Sequence, residues 1–78
     1  MIHARKDYNH IQDPSGQIPE DEPVFLIRGK DMVSGDAVRA WANLAEAAGA
    51  AQNILDAARE HASLMDEWPG KKTPDMPT

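Results

Sequence analysis

One stretch governs what this chain can fold into. Val24-Phe-Leu-Ile-Arg28 is its single strongly apolar run of β type. Val, Phe and Ile favour a strand, and apolar side chains on both faces require cover on both sides. Every backbone N–H and C=O in it also requires a partner. No later segment reads as a strand, so the pairing comes either from a weak hairpin before it or from the same strand of another copy. That hairpin is centred on Asp13-Pro-Ser-Gly16, a type I turn sequence with Asp at the first position, Pro at the second and Gly at the fourth. Tyr8 to Gln12 and Gln17 to Ile18 are its expected arms. Pro19 to Pro23 then holds Glu20, Asp21 and Glu22 in an extended surface connector.

Beyond Asp31 the pattern turns helical. Ser34 reads as an N-cap, with Asp36 placed to meet the positive end of the helix dipole. The helix is predicted to run to about Ala48, where Gly49 suits a left-handed terminator. Val38, Trp41, Leu44 or Ala45, and Ala48 mark its expected inner stripe. A second helix is predicted from Asn53, with Asp56 three residues on. Its face is expected at Ile54, Ala58, His61, Met65 and Trp68, widened by Leu55, Ala62 and Leu64, and Pro69-Gly70 ends it. The short connection predicts an antiparallel αα-hairpin. The expected fold is α+β: a short N-terminal β element, hairpin or intersubunit strand, followed by the αα-hairpin. Residues 1–68 form one domain and residues 69–78 a flexible tail.

Composition explains why this reading includes self-association. The chain has 78 residues, and much of its 41% hydrophobic content is alanine. Burying a bulky apolar side chain stabilises by about 1.5–3 kcal/mol, while ordering each residue costs roughly 1–2 kcal/mol of backbone entropy. So short a chain needs a staple. With no cysteine there is no disulfide, and no zinc-ligand cluster is visible, which leaves a homo-oligomer. The missing cysteines accord with an intracellular protein. No segment approaches the ~20 apolar residues of a membrane span, and Met1 to Asp7 lacks a signal-peptide core. A net charge of −5 argues against nonspecific nucleic-acid binding.

The chemistry-bearing residues point to anion binding rather than catalysis. Arg28, Lys30 and Arg39 are three of the eight Lys and Arg residues and flank the Ser34-Gly35 helix start. Helix N-termini present free N–H groups, Gly permits close approach, and Arg grips phosphate with two parallel bonds. Solvated pairs with Asp31 and Asp36 are the plain alternative. Tyr8 lies in a polar segment and suits stacking on a base. Trp41 and Trp68 are expected on the inner helix faces. His3, His10 and His61 have no metal-ligand spacing, no nucleophile elbow surrounds Ser34, and the three acids between prolines suit a solvated loop. The expectation is a non-enzymatic protein without a cofactor.

Tyr8-Asn-His-Ile-Gln-Asp-Pro-Ser-Gly-Gln-Ile-Pro-Glu-Asp-Glu-Pro-Val-Phe-Leu-Ile-Arg-Gly-Lys-Asp31 resembles a group of small phage and prophage proteins. The resemblance continues at Val38-Arg-Ala-Trp-Ala42, Ala45-Glu-Ala-Ala-Gly49 and Ala58-Arg-Glu-His61, and spans about residues 8–68. It implies a phage origin rather than an activity; with the missing cysteines, the expected location is the host cytoplasm. Small acidic phage proteins of this character include oligomeric sponges that hold cyclic or ADP-ribose-type nucleotide signals between subunits. By that analogy the chain is expected to sequester a host nucleotide without cleaving it, through Arg28, Lys30, Ser34, Gly35, Arg39 and Tyr8. The alternatives are a protein-binding inhibitor of a host defence complex, acting through Glu20, Asp21, Glu22, Asp66 and Glu67, and a virion or packaging adaptor.

Overall fold

The computed structural model describes residues 1–5, 13 and 15–74. Two compact units emerge, one within Met1–Leu26 and the other over Ile27–Pro74. The first holds β1 (Ile2–His3) and β2 (Pro23–Val24), the second α1 (Ser34–Ala47) and α2 (Gln52–Glu67). The α+β reading therefore holds at the level of a small sheet and a helix pair.

The N-terminal β element differs from the expected hairpin. Its two strands run parallel, with Ile2 opposite Pro23 and His3 opposite Val24, and the Ile2 N–H donates to the Glu22 carbonyl at 2.8 Å. Gln17 and Ile18 are not strand, and Tyr8 to Gln12 lie outside the described residues. Among the described residues the turn is formed: the Gly16 N–H reaches the Asp13 carbonyl at 3.0 Å, with Gly16 at φ 65°. The Asp13 carboxylate accepts from the Ile18 N–H at 2.7 Å and the Ser15 hydroxyl at 2.8 Å. Those bonds, the Ile18 one foremost, hold its pKa below the usual aspartate value. The strand expected over Val24–Arg28 stops at Val24. Pro23 brings no N–H to the ladder, and Phe25 is 72% exposed.

In the second unit the helix ends follow local chemistry. At the end of α1, the Gly49 N–H donates to Glu46 O at 3.0 Å and the Ala50 N–H to Ala45 O at 2.9 Å. Gly49 sits at φ 90°, the left-handed conformation such a closure requires. The starts differ from expectation. Val33 occupies the N-cap position, and Ser34 is the first helical residue, fully buried. Its hydroxyl faces the Gly29 carbonyl at 3.5 Å. Ala51 precedes α2, and Asn53 lies inside the helix. Beyond Trp68, Pro69 and Gly70 stop α2 as expected, with Gly70 at φ 74°.

The two helices pack antiparallel through their small residues. On α1, Ser34, Gly35 and Ala42 are buried and Val38 and Ala45 half-buried; on α2, Leu55, Ala62 and Met65 are buried and Ala58 half-buried. Gly35, Val38, Ala42 and Ala45 repeat at 3-4-3 spacing, as do Leu55, Ala58, Ala62 and Met65. Both stripes are seams of the kind that bring helices close along their length. Trp41 and Trp68, expected inside, are 52% and 59% exposed, and Leu44 is 73% exposed. The small stripe lies about 110° around α1 from the bulky one at 100° per residue. Glycine and alanine let the backbones approach, so the dispersion contacts of the whole helix length outweigh the burial of two large side chains.

Candidate functional site

Arg28, Gly29 and Lys30 lead into α1 through a tight turn, the Asp31 N–H donating to Arg28 O at 3.0 Å and the Ser34 N–H to Asp31 O at 3.0 Å. Gly29 lies directly on α2, where an added Cβ would meet Trp68 Cβ at 3.4 Å and Met65 Cα at 3.6 Å. The turn is tied down from the C-terminal side. Lys72 pairs with this segment as a parallel bridge opposite Asp31, its N–H donating to Lys30 O at 3.0 Å and its carbonyl accepting the Met32 N–H at 2.9 Å. The Lys71 ammonium donates to the carbonyls of Gly29 and Met65, joining the turn to the end of α2. Read from the sequence as part of a loose tail, Lys71 and Lys72 are thus part of the support for the site. Their signal was two lysines just past a helix terminus, where cations meet the last free carbonyls.

Between this turn and α2 lies a groove of about 390 Å³, lined by Arg28, Gly29, Lys30, His61, Leu64, Met65 and Trp68. It brings together two of the expected anion-binding residues. Among the described residues neither the Arg28 nor the Lys30 side chain has a hydrogen-bond or ion-pair partner. The groove therefore joins free positive charge to an aromatic and aliphatic wall. A ligand with a phosphate and a planar, partly apolar body matches both features. Leu64 and Trp68, which sequence reasoning had assigned to a helix–helix face, line the groove together with His61, whose position on α2 suited an interface or a pocket.

The other expected site residues serve a different purpose. The Asp66 carboxylate sits against Gly35, in the space an added Cβ would take, and bonds to the Arg39 guanidinium. Asp36 approaches the same guanidinium at 3.4 Å. The open space beside Gly35 is thus taken by a carboxylate from α2, and Arg39 is engaged with it. Ser34, Gly35 and Arg39 thus join the helices and do not line the groove. Tyr8 lies outside the described residues. Among the described residues no three His, Asp or Glu side chains converge as a metal ion would require, and no helix is long and apolar enough to cross a membrane.

The Arg39 hydrogen bond lowers the Asp66 pKa, with lesser help from the nearby charges of Arg39 and Lys71 and against some desolvation. Asp66 correspondingly raises Arg39. A carboxyl group lowered in the folded state contributes stability that is complete above its unfolded pKa and is lost as pH falls through the folded value. Asp66 is 48% exposed and water screens the pair, so the contribution is modest. Arg39→Gln is expected to raise the Asp66 midpoint toward the ordinary value of 3.8. A carboxyl-carbon NMR titration reads this directly, and an unmoved midpoint would show that the pair is not formed in solution.

No family model matches the chain, and neither does any curated protein or solved structure.

Proposed function

We propose that this chain is a phage accessory protein that binds a host nucleotide signal and shelters it without cleaving it. The observation that carries this reading is the pair of unpartnered cations, Arg28 and Lys30, at the rim of a groove walled by Trp68, Leu64 and His61. Arg28 suits a bidentate grip on phosphate, and Lys30 supplies a mobile point charge. Trp68, 59% exposed, offers a ring face against which a base can stack. Sequestration requires no proton transfer, only that the ligand be held more tightly than its receptor holds it.

The reading is tested by calorimetric titration with a panel of cyclic and ADP-ribose-type nucleotides. Hydrogen bonds to charged groups contribute about 1.5–3 kcal/mol each, and each 1.4 kcal/mol is tenfold in affinity. Arg28→Ala combined with Lys30→Ala is therefore expected to weaken binding at least ~100-fold. Far-UV circular dichroism should be unchanged, because neither side chain bonds within the fold. Full affinity in the double variant would sink the assignment, as would the absence of binding to any member of the panel.

A further inference from the structure

The helix pair has one polar flank and one apolar flank. On the polar flank, Arg39 meets Asp66, and Arg59 meets Asn43 at 3.2 Å and Glu46 at 3.4 Å. Asp36, Arg39, Asn43 and Glu46 are the only charged or amide side chains of α1. At 100° per residue they occupy an arc of about 80°. Every other position of α1 after Ser34 is Gly, Ala, Val, Trp or Leu, the composition of a helix covered on more than one side.

The apolar flank is ordered. Ala37, Trp41, Leu44 and Ala48 repeat at 4-3-4 spacing, and Ile54, Ala57, His61 and Leu64 at 3-4-3. These are second heptad seams, additional to the pair that joins α1 to α2. Because the helices are antiparallel and share a polar flank, both extra seams lie on the same opposite face. Trp41, Leu44, Ile54 and Leu64 are 52%, 73%, 49% and 57% exposed there. Taking ~150–250 Å² as an upper measure of each whole side chain, the four exposed fractions amount to roughly 350–580 Å², about half or more of the ~800 Å² that each partner of a standard interface buries.

We propose that this face pairs with the same face of a second copy, completing a four-helix bundle across a two-fold axis. Two antiparallel heptad seams are best matched by a helix pair carrying two seams of the same length. Among the described residues the chain has no helix besides α1 and α2, so another copy's hairpin is the match. Such a bundle is a standard resting place for αα-hairpins, and self-complementary pairing closes without propagating. His61 and Leu64 belong both to this seam and to the groove wall, so the second copy stands beside the groove and narrows its open side. That last consequence rests on the ligand reading above; the pairing stands on the helices alone.

The test is sedimentation equilibrium of the full chain over a range of concentrations, with Leu44→Glu and Trp41→Glu as separate variants. The wild type is expected to be dimeric or a multiple of dimers. Each variant should shift at least tenfold toward smaller species while keeping its helical circular dichroism, since both side chains are largely exposed in the single chain. A monomeric wild type overturns the proposal. Unchanged assembly in both folded variants overturns it too, placing self-association elsewhere. Should one variant fail to fold, the other decides. Nucleotide affinity is measured separately, so an assembled protein that binds no nucleotide leaves the pairing standing and removes only the ligand reading.

Discussion

Leu55→Ala is expected to remove a large share of this protein's stability. Leu55 is 1% exposed and is the largest fully buried side chain of the described residues. Truncating a buried leucine costs about 2–5 kcal/mol, from lost transfer energy plus the cavity left behind. Domains are stabilised by roughly 0.05–0.15 kcal/mol per residue, which for this length is about 4–12 kcal/mol in all. The substitution should therefore lower the thermal midpoint by about 10–30 °C, at ~4–8 °C per kcal/mol. Melting followed by far-UV circular dichroism reads the shift, at one fixed protein concentration because assembly would add a concentration dependence. A shift below about 5 °C, or roughly 1 kcal/mol, would mean that the helix contact built on Leu55 is not the core of the second unit.

Gly35→Ala is expected to destabilise the protein even though alanine is the better helix former. In open helix the exchange gains about 0.5–1 kcal/mol. Here the new methyl would land on the Asp66 carboxyl group and approach the Ala62 carbonyl at 3.1 Å. Asp66 must swing away from Arg39, and the helices must part by a few tenths of an ångström. Overpacking of a closely fitted contact costs ~1–3 kcal/mol, so the net loss should be about 1–2 kcal/mol. Adding Asp66→Ala clears the carboxylate, and the two changes should be non-additive by at least 0.5 kcal/mol, within the roughly 0.5–3 kcal/mol seen for touching residues. Strict additivity by denaturant unfolding would show that Asp66 does not rest on Gly35.

The same residues show how far the site was legible. Arg28 and Lys30 stood out as a basic pair before a helix start, and among the described residues both side chains stand without a partner at the groove. Arg39, Ser34 and Gly35 carried an equally good local signature for an anion. The anion that Arg39 meets is Asp66, 27 positions further on, and the same carboxylate fills the space beside Gly35. Local sequence cannot reveal whether Arg39 and the space beside Gly35 will meet a ligand or a distant carboxylate. Nor could Lys71 and Lys72 be read as a strap, because their partners are carbonyls and amides present in every segment. The strand Val24–Arg28 was over-extended for a related reason. β-propensity describes side chains that fit a pleated surface, while strand length is decided by the partner, and Ile2–His3 offers two residues.

What the sequence determined by itself is whatever depends on near neighbours: two helices, the glycine closure at Gly49, the stop at Pro69-Gly70, the Asp13–Gly16 turn, and the antiparallel course imposed by a short connection. Which face each helix turns inward was decided only by the tertiary structure. Each helix carries two apolar seams, a small-residue one through Gly35 and Ala42 or Ala58 and Ala62, and a bulky one through Trp41 and Leu44 or Ile54 and Leu64. Periodicity identifies both and ranks neither. The choice falls to backbone approach, because glycine and alanine bring the helices close enough to contact along their length and set Arg39 beside Asp66. That closeness leaves the bulky seam facing outward.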